Sequence, residues 1–309
     1  MAIIKSSVKL ILQNDKLFHY SGKALALGVP EIYATQRELR RWFPSLAARD
    51  FPLSEAEVEI TGHEVGRRLG WVTASTFLRA LGMASTVSMD LPGGEHKPDL
   101  IHDLNEALPD GAVNQFDMVI DPGTTEHVFD IKTALTNVVQ ALKIGGVVIH
   151  QVPVYSYNGG YYSINPNVLN DFYALNGFGN LRTYIVMWDR YRAYTGRNLC
   201  YEYSAEILGA RHALADYDQC RYSPHMLFLA RKERQTGSVS VPRQFGGEYM
   251  AGLADQNEAG KSNDRLMGIM RGASRLLHRL LPYSAAYYLH AAARRNLFLL
   301  QTRRARFWM

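Results

Sequence analysis

Apolar residues along this chain alternate between short continuous runs and one long helical stripe. From Lys23 the run KALALG closes at Gly28, as suits a buried strand that stops at a turn. Val72, Phe77, Leu78 and Leu81 then share a helical face over 72–81, with Gly82 as the stop. TVSMD ending at Asp90, the short DLIHD, and FDMVI closed by Asp121-Pro122-Gly123 read as strands. The clearest helix follows, with Ile131, Ala134, Leu135, Val138, Val139 and Leu142 at i, i+3, i+4, i+7, i+8 and i+11. Gly145-Gly146 is expected to break it before the strand VVIHQVP. Strand, helix and strand joined by short links make a βαβ unit with parallel strands.

The remaining pattern is less regular. Ser7 to Tyr20 predicts a short helix, and 36–70, charged and broken by Pro44 and Pro52, predicts an insertion containing helices. After the Tyr/Gly/Asn-rich loop 155–166 come a helix over 168–175 and late strands over 181–188 and 225–230. The expected organisation is an N-terminal helical segment (1–22), an α/β body (23–232), a polar linker (233–263) and a basic helical tail (264–309). Alternating strands and helices place the body in the α/β class, as a doubly wound, mostly parallel sheet.

Charge separates body from tail. Residues 264–309 hold nine Arg, no Lys and one acidic residue, so of the net +5 the tail carries +8 and the other residues −3. This distribution argues against a nucleic-acid-binding body. Over 265–281, Leu266, Ile269, Met270, Leu276, Leu277 and Leu280 fall on one side, with Arg265, Arg271, Arg275 and Arg279 opposite. Such a helix suits an anionic membrane surface, or equally a partner helix. The two cysteines, Cys200 and Cys220, form no disulfide framework. No signal peptide and no bilayer-spanning run is evident, so a cytoplasmic protein, peripheral at most, is expected.

In such sheets ligands bind beyond the carboxyl ends of the strands. The candidate chemistry therefore lies at Gly28, Asp90, Asp103, Asp121 with its loop PGTTEH, and His150. Asp90 can accept both hydroxyls of a ribose, or it can be a solvated turn aspartate before Pro92-Gly93-Gly94. His127 and His150 are the candidate bases for deprotonating an acceptor, His127 being preferred. Tyr155, Tyr157, Tyr161 and Tyr162 offer an aromatic wall for a sugar-like molecule, or a surface loop packed on the sheet. Glu126 and His127, being adjacent, point in different directions, and no metal is expected.

SMD, IHDLN, FDMVIDPGTTEHVFD and ALKIGGVVIHQVP, in this order, resemble the S-adenosylmethionine-dependent methyltransferases with a Rossmann-like seven-stranded sheet. The small-molecule and sugar-type members are the most similar. The resemblance covers about 23–232, its specific part being 86–153. It implies S-adenosylmethionine as cofactor, with Asp90 on the ribose, Asp103 and Leu104 at the adenine, and Asp121 to Thr124, including Gly123, bordering the methionine part. It further implies methyl transfer to an oxygen, less readily a nitrogen, of a small or sugar-like acceptor, in a setting such as surface polysaccharide or lipid-linked sugar synthesis. Two features depart from the family. A single Gly28 followed by Pro30 replaces the glycine-rich first loop, and Asp90 stands 62 residues beyond Gly28 where about 20 are usual. A non-catalytic scaffold with a decayed loop is the alternative. A nicotinamide-dependent oxidoreductase would want G-x-G-x-x-G after the first strand, which the chain lacks.

Overall fold

The computed structural model describes residues 2–93, 97–156, 159–192, 194, 198–203, 221–243 and 306–308. The chain divides into two compact units, and the sheet and clefts considered below belong to the first, residues 1–200 with 220–242 and 308–309. Of the basic tail, the described part is the strand Arg306–Trp308, so its predicted helices lie outside the described residues.

Seven strands of the main sheet lie wholly within the first unit: β1 (Gly22–Leu27), β2 (Met83–Asp90), β3 (Leu100–Ile101), β4 (Phe116–Asp121), β5 (Leu142–Pro153), β6 (Phe178–Asp189) and β7 (Tyr222–Lys232). Their order across the sheet is β3-β2-β1-β4-β5-β7-β6. All neighbours from β3 to β5 are parallel. β7 runs antiparallel to both β5 and β6. This is the predicted α/β class with a mostly parallel sheet. β1, β4 and β5 are buried along nearly all of their apolar positions, which explains why they read as continuous hydrophobic runs.

The helices are α1 (Lys5–Gln13), α2 (Asp15–Phe18), α3 (Gln36–Leu46), α4 (Glu64–Leu69), α5 (Ala74–Ala80), α6 (Ile131–Ala141) and α7 (Pro166–Leu175). Side-chain caps set most of the starts. Thr35 and Glu38 form a reciprocal capping box on α3. Thr73 caps α5, Asp130 caps α6 and Asn165 caps α7. The helix expected over Ser7 to Tyr20 is divided at Asn14, which is buried and donates its amide to the Leu10 carbonyl and to the Tyr184 hydroxyl. The 36–70 insertion contributes α3 and α4, as its charge pattern suggested.

Two boundaries differ from the expectation. Gly145-Gly146 does not end the helix: α6 stops at Ala141 and β5 begins at Leu142 with no intervening loop. The glycines instead sit inside β5 where the register slips between Phe116–Leu142 and Met118–Val147, Gly145 with φ of 85°. The free helix-end carbonyls are met from another strand, because buried Lys232 of β7 donates to Val139 O at 2.8 Å and to Leu142 O at 2.6 Å. Lys232, the last residue assigned to the body, is thus a core residue.

Candidate functional site

The chain runs outward from β1 to β3 and then returns to β4 on the other side of β1, so the order reverses between β1 and β4. Such a switch point opens a crevice at the carboxyl ends of the strands. A cleft of about 280 Å³ lies at that edge. Met89, Asp90 and Leu91 from the end of β2, His102 to Asn105 beyond β3, and Thr124, His127 and Val128 beyond β4 line it. Four of the sequence-predicted residues, Asp90, Asp103, Leu104 and His127, therefore share one cleft.

Local bonds fix each wall. Asp90 accepts the amide of Leu91 at 2.8 Å through Oδ1. Asp103 Oδ1 accepts both the backbone N–H and the side-chain amide of Asn105, and the first of these bonds, then the second, holds its carboxyl below the ordinary carboxylate range. Asn105 Oδ1 in turn accepts the amide of Asp130 at the start of α6. Thr124 reaches across the crevice to the Leu27 carbonyl at 2.9 Å, joining the β4 loop to the end of β1. His127 is exposed at the cleft, and its backbone N–H donates to Thr124 O. His102 also lines the cleft; its Nε2 is shielded from solvent and has no hydrogen-bond partner among the described residues.

The other predicted residues are placed elsewhere. His150 is fully buried, and both ring nitrogens are engaged, Nδ1 with Asp121 Oδ2 and Nε2 with the Tyr173 hydroxyl, each at 2.6 Å. Asp121 is buried too, and accepts from Thr124 N, Gly123 N, Thr125 N and the Thr125 hydroxyl. Burial alone would raise its pKa, but the His150 hydrogen bond and charge, with the Thr125 and Thr124 donors, hold it below the usual value. An ionised Asp121 assigns a ring hydrogen to His150 Nδ1. This network lies inside the core and ties β4, β5 and α7 together, so as placed His150 cannot reach an acceptor in the cleft. Gly123 takes φ of 102°, and a Cβ there would meet Glu126 Oε1 at 2.8 Å.

Gly28, at φ of 77°, donates its amide to Met89 O at 2.6 Å. Beyond it the chain does not curl into a glycine turn. Glu31–Ile32 are extended and pair in parallel with Ala2–Ile3, and a helix starts only after Thr35. Gln151 at the end of β5 holds the N-terminal segment through Ile4 N and Ala2 O. An N-terminal strand thus supports the stretch that follows Gly28.

Of the tyrosines, Tyr157 lies outside the described residues. Tyr161 and Tyr162 both donate their amides to Glu126 O, and the Tyr162 hydroxyl donates to Phe129 O at 2.7 Å. They fold over the segment that carries His127, but neither they nor the half-exposed Tyr155 are among the residues lining the cleft. Among the described residues no group of three or more His, Cys, Asp or Glu is placed to hold a metal ion.

Sequence reading missed Asn137. Buried on α6, it accepts from Leu108 N at 3.0 Å and donates to Leu104 O and Glu106 O at 3.2 and 2.8 Å, fixing the segment that forms the Leu104 wall. The signal was available, since Asn137 stands three residues after Ala134 and four before Ala141, both buried.

No protein-family model matches the chain, and no curated protein matches it significantly. Among solved structures it is similar to a SAM-dependent methyltransferase from Thermotoga maritima, at 14% identity and a TM-score of 0.36, over 74% of this chain and 90% of that one. It is similar to a SAM-dependent methyltransferase from Archaeoglobus fulgidus, at 12% identity and a TM-score of 0.37, over 74% of this chain and 94% of that one. Phosphoethanolamine N-methyltransferase 2 of Haemonchus contortus, in complex with phosphomonomethylethanolamine and S-adenosylhomocysteine, shares 14% identity at a TM-score of 0.37, over 73% of this chain and 52% of that one.

Proposed function

We propose that the chain is an S-adenosylmethionine-dependent methyltransferase acting on an oxygen, less readily a nitrogen, of a small or sugar-like acceptor. The observation that carries this reading is the convergence of Asp90, Asp103, Leu104 and His127 on one cleft beside the switch point. A cleft of about 280 Å³ is at the lower bound for small-ligand sites and suits a nucleoside. The residues fit that group: a strand-end carboxylate for the ribose diol, the 103–105 turn for the base, and His102 Nε2 with no hydrogen-bond partner among the described residues.

When bound, the cofactor supplies an activated sulfonium methyl group. The chain's own task is then to hold the acceptor in line and to take its proton. Exposed His127 is the base this reading uses, and the buried Asp121–His150–Tyr173 network acts by fixing the β4 loop. Tyr161 and Tyr162, folded over the His127 segment, are the aromatic groups this reading offers the acceptor, and Gly28 with Gly123 borders the methionine side. The setting we favour is the synthesis of surface polysaccharide or lipid-linked sugar, with 264–309 on an anionic membrane; loss of the tail should then abolish flotation with anionic liposomes. No described helix is long and apolar enough to cross a membrane.

The test is titration of S-adenosylhomocysteine into the purified protein by calorimetry. Binding that weakens about ten- to a hundred-fold in Asp90→Ala is expected, the equivalent of losing about one hydrogen bond to a charged acceptor. The extended Glu31–Ile32 pair in place of a glycine turn favours one second reading, a non-catalytic binding protein. Absence of binding to the unaltered chain would select it.

A further inference from the structure

A second cleft, of about 380 Å³, is left unused by the cofactor reading. Lys5, Arg37, Glu38, Arg41, Trp71 and Tyr194 line it. It lies at the same edge of the sheet as the first. β5 and β6 both run antiparallel to β7 and so parallel to each other, which puts Tyr194, five residues past the end of β6, at the edge where β1 ends, and its ring lies 5.7 Å from that of Tyr33 in the segment that leaves β1.

Its charges do not balance. Lys5 Nζ pairs with Glu38 Oε1 at 2.6 Å, and Glu38 is committed besides to the capping box with Thr35. That leaves Arg37 and Arg41, both exposed, with no ion pair or hydrogen bond among the described residues. Four apart on α3, they occupy one face, where like charges repel unless an anion lies between them. They also stand on the first turns of an eleven-residue helix whose N-terminal end favours negative charge. The opposite wall is aromatic: Tyr33 stacks on Trp71 with centroids 4.0 Å apart, and Tyr194, 47% exposed, sits 5.4 Å from Trp71.

We infer that this cleft binds a phosphate-bearing small molecule, with the phosphate between Arg37 and Arg41 and an apolar or ring-shaped body against Tyr194. A phosphate monoester, at close to two negative charges, matches two uncompensated guanidinium groups where a single carboxylate would leave one unanswered. Insofar as the molecule is also the methyl acceptor, this assignment rests on the methyltransferase reading. The binding site itself does not.

Phenyl phosphate is the probe, titrated by calorimetry into the full chain and into Arg37→Gln, Arg41→Gln, the double variant and Asp90→Ala, with thermal unfolding to show that each is folded. Saturable binding is expected, weakened about tenfold by either arginine substitution, lost in the double variant and unchanged in Asp90→Ala. Equal affinity in the unaltered and doubly substituted chains, no binding to the unaltered chain, or benzoate binding as tightly as phenyl phosphate would each overturn the proposal. So would arginine variants that lose S-adenosylhomocysteine but keep phenyl phosphate. Phenyl phosphate binding without S-adenosylhomocysteine binding supports this site while removing the cofactor reading.

Discussion

Replacing Asn137 by alanine should loosen the cleft wall from behind. The side chain is 2% exposed and makes three bonds to the backbone of 104–108. Each such bond contributes about 0.5–1.5 kcal/mol net, and a buried partner left unpaired costs about 1–3 kcal/mol. The Leu108 amide and the Leu104 carbonyl belong to buried residues, so water can replace the lost partners only in part. The expected loss is about 2–4 kcal/mol in urea unfolding at neutral pH. Because the same bonds position Leu104, affinity for S-adenosylhomocysteine should fall about tenfold as well. An alanine variant within about 0.5 kcal/mol of the unaltered protein would refute the reasoning.

Two further outcomes follow from buried titratable groups. Burial, and then the charge of Asp121, raise the Glu126 carboxyl to about 8 from an ordinary 4.5, so the folded chain keeps a proton that the unfolded chain releases. Stability should therefore fall as pH rises through that window, by up to about 1.4 kcal/mol per unit, and level off above it. Glu126→Gln should remove this dependence, and urea midpoints running parallel from pH 5 to 8 in both proteins would contradict it. Lys232→Met should destabilise the fold by about 1–3 kcal/mol by leaving the Val139 and Leu142 carbonyls unpaired, although a methionine fills a similar volume. An unchanged thermal midpoint would argue that those carbonyls find other partners.

Much of the sheet was legible because β1, β4 and β5 are buried runs closed by Gly or by Asp-Pro-Gly, and α6 is an amphipathic stripe. Strand ends were therefore locatable, and with them Asp90, Asp103 and His127. The burial of His150 was not, since a histidine within an apolar run looks the same whether it faces a cleft or donates to Asp121. Its partner Tyr173 lies 23 residues on, on α7, a pairing that local spacing cannot express. The glycine pair at 145–146 misled for a related reason. A Gly-Gly after an apolar stripe signals a helix stop, but here the long slip in register between β4 and β5 needs Gly145 at positive φ inside the strand. The second cleft escaped notice because its parts come from α1, α3, the segment before α5 and the turn after β6.

The most direct measurement is a crystal structure of the chain grown with S-adenosylhomocysteine. The account predicts the ribose hydroxyls on the Asp90 carboxylate and the adenine beside Asp103 and Leu104. Clear density for the nucleoside at any other place, with the Asp90 cleft holding solvent alone, would contradict it.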